Sequence, residues 1–157
     1  MKKIILLAIM LIRLTFDAQA QDISKNALGL RLAINDDNAS EVSYQRGLSD
    51  INRMELDLGW GSDAFKLSGI YQWVWNIDGD FNWYAGVGGG LGSWSTTDSA
   101  VNDSGTFVFA VGDIGIEYNF KEAPIQLSLD FRPEFGGNGY YKNNYGSDVA
   151  LGIRYRF

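Results

Sequence analysis

The segment "SDVALGIRYRF", Ser147–Phe157, alternates without a break. Val149, Leu151, Ile153, Tyr155 and Phe157 share one face, and Asp148, Ala150, Gly152, Arg154 and Arg156 share the other. A period of two is that of a β-strand with one apolar and one polar side. The segment before it, "IQLSLDFR" (Ile125–Arg132), repeats the pattern: Ile125, Leu127, Leu129 and Phe131 stand against Gln126, Ser128, Asp130 and Arg132. Working outward from these two, further strands are expected near 106–120, 81–94, 65–77, 51–60, 41–48 and 27–34, eight in all. Each is long enough, or nearly so, to cross a bilayer as a tilted strand of roughly 9–11 residues.

The first twenty residues read differently. Lys2 and Lys3 precede an apolar run from Ile4 to Ile12, and Ala18-Gln19-Ala20 forms an A-x-A site before Gln21. This is the layout of a secretory signal peptide at 1–20, which leaves 21–157 as one domain. Its removal takes away Lys2, Lys3, Arg13 and Asp17, moving the formal charge from −6 to about −8. An acidic mature chain argues against nucleic acid as a partner. The sequence contains neither cysteine nor histidine. Disulfides, thiolate metal sites and the commonest general base are therefore excluded, and no cofactor-binding pattern is found.

The connections divide by length. Ser49-Asp50, Asp78-Gly79-Asp80 and Lys121–Pro124 are tight turns, whereas Asn35–Ser40, Ser95–Gly105 and Phe135–Gly146 are longer loops; Gly61–Ala64 is the short exception. The apolar faces are bulky and carry aromatics near the strand ends. Trp73, Trp75, Phe81, Trp83, Tyr118, Phe120, Tyr155 and Phe157 mark the turn end, and Trp60 and Phe65 the loop end. Two such bands match interfacial girdles. The opposite face holds Arg31, Arg53, Lys66, Arg132, Arg154 and Arg156 together with Glu55, Asp57, Asp113, Glu117, Asp130 and Glu134, equal numbers of each sign. Balanced charge suits a closed lumen in which ion pairs satisfy one another. The expected fold is all-β: an eight-stranded antiparallel up-and-down transmembrane β-barrel with a charged interior.

Two positions strain this pattern. Arg46 falls on the apolar face, which requires an interface or a bulge, and Pro133 removes a ladder hydrogen bond, so the seventh strand should end or bulge there. A third stretch, "YAGVGGGLGSW" (Tyr84–Trp94), has glycine at 86, 88, 90 and 92, the strand period again. No G-x-G-x-x-G fits it and no helical pattern follows, so it cradles no phosphate. With Asn82 and Tyr84 these glycines point inward, and the next strand begins with Phe107 and Phe109 on its own inward face. Eight strands enclose only enough space for side chains, so two inward rings demand missing side chains beside them. Gly92 and Gly90 are expected opposite or diagonal to Phe107 and Phe109.

The signal peptide, the eight alternating strands and the terminal "GIRYRF" resemble the OmpA/OmpX-type eight-stranded outer-membrane barrels, a superfamily that also contains opacity-like surface proteins. The resemblance covers 27–157 and rests on architecture. It implies a terminal phenylalanine, with aromatics at alternate preceding positions, that is read by the outer-membrane assembly machinery. Ile153, Tyr155 and Phe157 match those positions. It also implies periplasmic chaperones during biogenesis, a monomer in contact with outer-membrane lipid and lipopolysaccharide, loops facing outside and both termini in the periplasm of a Gram-negative-type bacterium. No peptidoglycan-binding domain is expected after the barrel.

Small outer-membrane barrels that act as enzymes commonly use a histidine, absent here, and no spacing supports a serine paired with a carboxylate or lysine. The expected function is non-enzymatic, in envelope structure or surface interaction. The alternatives are a narrow pore for ions or small solutes and a secreted lipocalin-like binder. Loop acids Asp36, Asp37, Asp98 and Asp103 are candidates for a divalent cation bridging to lipopolysaccharide, against the plainer reading of solvated loop residues. Tyr140, Tyr141 and Tyr145 are either a contact patch or part of an upper girdle.

Overall fold

The structure, a computed structural model, describes residues 23–34, 40–60, 64–98, 101–136 and 147–157, the side chains of 96–98 and 101–103 excepted. The signal segment, Asp36, Asp37 and the three loop tyrosines lie outside the described residues. The strands are β1 (Asn26–Ala33), β2 (Ser40–Gly47), β3 (Asn52–Trp60), β4 (Ala64–Asp78), β5 (Phe81–Asp98), β6 (Val101–Asn119), β7 (Ile125–Arg132), β8 (Glu134–Gly136) and β9 (Asp148–Arg156). All pair antiparallel, and β9 returns to β1 in a register from Ala27↔Arg156 to Ala33↔Ala150. The amide of Asn26 donates to the Phe157 carbonyl (3.0 Å) and that of Phe157 to the Asn26 carbonyl (2.9 Å). β7 and β8 lie end to end along β6 and make one stave, so the wall is a closed barrel of eight. Closure leaves no sheet edge within the ring.

The wall is inverted relative to a soluble barrel. On β3, Arg53, Glu55 and Asp57 are buried while Met54, Leu56, Leu58 and Trp60 are exposed. The same exposure holds for Leu28, Leu30 and Leu32 on β1 and for Leu151, Ile153 and Tyr155 on β9. In water these side chains would be a liability; in lipid their transfer is favourable. At the turn end Trp75 stacks on its cross-strand partner Trp83 with centroids 4.3 Å apart, and Phe81, Tyr118 and Phe120 form a continuous chain of ring contacts. Arg46 is exposed on the outer wall near the same end, where its Nη1 donates to Asn26 Oδ1 (2.9 Å). At that height its guanidinium reaches polar surroundings. Gly79 closes the β4–β5 turn at φ +54°, a left-handed backbone that glycine adopts without steric cost.

Pro133 ends β7, and the register survives it. Ile114 pairs Phe131 on one side and Val111 pairs Glu134 on the other, so no residue is inserted. Opposite the proline ring lies Gly112, whose absent side chain leaves the ring its space and whose amide still donates to the Pro133 carbonyl (2.9 Å).

The expected loop at Ser95–Gly105 is corrected. β5 continues to Asp98 and β6 begins at Val101, with the ladder intact through Ser95↔Ser104 and Asp98↔Val101. Beyond the lipid nothing demands one apolar and one polar face, so pairing persists where the alternation has vanished. Asp98 and Asp103 thus belong to strand backbone, with their side chains outside the description.

The β5–β6 ladder explains the glycines. From Tyr84 to Trp94 its inward rungs are Tyr84↔Gly115, Gly86↔Asp113, Gly88↔Val111, Gly90↔Phe109, Gly92↔Phe107 and Trp94↔Gly105. Each contains one glycine. Phe107 and Phe109 are 4% and 5% exposed, and a Cβ on Gly92 or Gly90 would overlap their ring atoms. One on Gly115 would meet the Tyr84 ring at 2.5 Å. Large beside small at every rung fills a narrow interior without overlap. Gly90→Leu should therefore lower the free energy of unfolding by about 1–3 kcal/mol, and adding Phe109→Ala should recover part of that loss. Urea titration of folded barrel, read by gel mobility without boiling, measures both; additive effects would show that ring and glycine do not share this space.

Candidate functional site

The inward faces of β1–β4, β6, β7 and β9 bring most of the molecule's buried charge into one network. Arg132 on β7 is its hub. Its guanidinium lies 2.8 Å from Asp57, 3.4 Å from Asp113, 3.5 Å from Glu41 and 3.7 Å from Asp130, and it also pairs with Glu55. Arg31 on β1 contacts Asp130 (2.5 Å), Asp148 (2.6 Å) and Glu41 (3.1 Å). Arg154 on β9 donates to Glu55 (2.9 Å), Ser43 (2.9 Å) and Ser128 (2.8 Å). Toward the turn end, Arg53 pairs with Glu117 (2.6 Å) and donates to Gln72 (2.5 Å). Toward the loop end, Lys66 bridges Glu134 (2.8 Å) and Glu41 (3.2 Å).

Neutral groups complete the bonding. Gln45 and Gln72 donate to Glu55 at 2.5 and 3.0 Å, and Asn82 and Gln126 donate to Glu117 at 3.2 and 3.1 Å. Burying this many ions is costly, and the cost is offset only when each finds opposite charge and hydrogen bonds. The remaining sector of the lumen, toward the loop end of β4–β6, is apolar: Ile70, Phe107, Phe109 and Val111 cluster there, with Trp94 packed against them. A cation–π contact joins the two sectors, with Lys66 5.5 Å from the Phe109 ring centroid, and Arg53 lies 4.7 Å from that of Tyr84.

The residues read from the sequence as inward are brought together here, with one exception. Arg156 is half-buried at the turn end and donates to the Phe120 carbonyl (2.9 Å) instead of joining an ion pair. Two carboxylates were missing from that set, Glu41 and Asp148, 2% and 6% exposed. Strand parity would have found both, since Glu41 shares a face with Ser43 and Gln45, and Asp148 with Ala150 and Arg154. With them the described lumen holds five cations (Arg31, Arg53, Lys66, Arg132, Arg154) and eight carboxylates (Glu41, Glu55, Asp57, Asp113, Glu117, Asp130, Glu134, Asp148). The balance expected from the sequence is corrected to an excess of three carboxyl groups over cations. Among the described residues no three acidic groups converge as a metal-chelating set. Ile153, Tyr155 and Phe157 line the outer wall at the turn end, with the Tyr155 and Phe157 rings 6.2 Å apart.

Neither a protein-family model nor a curated protein sequence matches the chain. Among solved structures, the N-terminal β-barrel domain of Pseudomonas aeruginosa OprF is similar over 88% of this chain and all of its own, with TM-score 0.68 and 17% identity. A de novo designed transmembrane β-barrel is similar over the same shares, with TM-score 0.62 and 18% identity. The chain has the fold of an eight-stranded transmembrane β-barrel. The attachment invasion locus protein Ail of Yersinia pestis aligns more loosely, with TM-score 0.46, 13% identity and coverage of 84% of this chain and 93% of its own.

Within this barrel the Arg53–Glu117 pair is the simplest to dissect, because among the described residues Arg53 has no other carboxylate in its ion pairs. Arg53→Met should destabilise by about 3–5 kcal/mol, because it leaves Glu117 buried without a counter-charge. Arg53→Met combined with Glu117→Gln should cost clearly less than the single change. Equilibrium unfolding in lipid or detergent tests this, and a double variant weaker than Arg53→Met alone would show that the pair does not act as a closed unit.

Proposed function

We propose that this chain is an integral outer-membrane barrel, monomeric and non-enzymatic, that serves envelope structure or surface interaction. The single observation that carries the reading is the inverted wall: charge inside, and outside a continuous belt of leucine, isoleucine and valine between aromatic ends. That inversion also speaks against the lipocalin-like alternative, whose interior would be the apolar side. In this reading the tight turns and both termini face the periplasm, and the β5–β6 hairpin and the longer loops face outward among lipopolysaccharide. Residues 1–20 act as the secretion signal. Periplasmic chaperones deliver the chain, and Ile153, Tyr155 and Phe157 present it to the assembly machinery. The polar lumen keeps a narrow pore as the second reading, tested by conductance in planar bilayers. The packed ion pairs speak for a plugged interior instead.

Two experiments test the main reading. Membrane fractionation with gel mobility before and after boiling should give a detergent-extracted band that shifts on heating. A buffer-soluble protein with no shift would refute membrane insertion. Deleting Phe157 should leave export intact while folded protein in the outer membrane falls and periplasmic degradation products appear. Unchanged outer-membrane levels in that variant would remove Phe157 from assembly.

A further inference from the structure

The excess of carboxylates in the lumen is concentrated around one hub. Arg132 carries a single positive charge and faces Glu41, Glu55, Asp57, Asp113 and Asp130. Arg31, Arg154 and Lys66 supply further charge to Glu41, Glu55 and Asp130, and none of their ion pairs reaches Asp57. Asp57 is 1% exposed. Its Oδ2 accepts from Arg132 (2.8 Å), while its Oδ1 is buried without a hydrogen-bond donor among the described residues. An orphaned carboxylate oxygen in a sector already rich in negative charge is the most costly polar atom a lumen can hold. Its cross-strand partners on the same inward face are Ser43 on β2, whose hydroxyl is engaged by Glu55 and Arg154, and the buried Ser68 on β4.

We propose that the lumen binds a small monovalent metal cation, sodium or potassium, at Asp57 Oδ1, with the Ser68 hydroxyl as a neutral oxygen ligand. The ligand chemistry is all oxygen, which suits a hard cation. Among the described residues no three acidic groups converge as a chelating set, so the site offers one carboxylate oxygen with neutral oxygens beside it. The bound ion supplies the counter-charge that Arg132 cannot spread over five carboxylates. It adds a ligand-dependent increment of stability to a barrel whose side chains alone do not neutralise its interior.

The test uses the folded full barrel in a zwitterionic detergent at neutral pH. Its melting midpoint is compared in sodium chloride, potassium chloride and N-methyl-D-glucamine chloride at equal ionic strength. The small cations should raise the midpoint by a few degrees, saturably, over the organic cation. Asp57→Asn should abolish that difference, and Ser68→Ala, a milder change in case the first does not fold, should shift the half-saturating concentration upward several-fold. Equal midpoints in all three salts would overturn the proposal. So would a full sodium response in Asp57→Asn, or a midpoint that rises on acidification with no dependence on the cation, which would assign the excess charge to bound protons.

Discussion

Closing eight strands into a ring fixes how much can stand inside it, and that fixed volume governs the rest of this molecule. An interior of eight strands is just wide enough for side chains to fill, and too wide to leave unfilled. Every inward side chain must therefore reach a partner across the lumen or lie flat on a neighbour that has none. On β5 and β6 the second solution is used, one glycine to each inward rung from Tyr84 to Trp94. Around the remaining wall the first is used, with arginines long enough to span from β7 to β3 and from β1 past β9 to β7. The lipid outside accepts any apolar residue of ordinary size, so specificity resides in the lumen, and the outer face supplies insertion.

These two fillings differ in what they require of the sequence. A ring over a glycine needs volume to match at a single rung, and a change at either position is felt locally. An ion network needs charge to match over the whole set. Glu55 is shared by Arg132 and Arg154, and Glu41 by Arg31, Lys66 and Arg132, so no pair in that part can be altered alone. Arg53 and Glu117 stand apart from this sharing, nearer the turn end, where neutral amides complete the bonding.

The strands were legible in the sequence because lipid on one side and a polar lumen on the other impose strict alternation, as along Met54–Trp60 and Val149–Phe157. The continuation of β5 and β6 past Ser95 was not, because above the membrane both faces are wet and the pattern no longer carries information. The glycines gave their meaning only when read against Phe107 and Phe109 on the next strand; alone they resemble a loop. Glu41 and Asp148 sit at the first rungs of their strands next to loop tracts, where an acid looks like a solvated loop residue until the parity of its neighbours is followed inward. Arg156 shows the converse limit: parity turns it toward the lumen, but at the last rung the lumen has ended and a backbone carbonyl is the nearest partner.

Pro133 leaves the barrel stitched differently at its two ends. Toward the turns every stave is laced to both neighbours by backbone. Above Arg132↔Asp148, the described part of the seventh stave is held by β6 alone, over three rungs. What ties it to the far wall is Glu134, reaching across to Lys66 and through it to Glu41. At the loop end this stave is held by one neighbour and a buried charge relay, so its amides should exchange with solvent through local opening, whereas those near the turns should wait for the whole barrel to open.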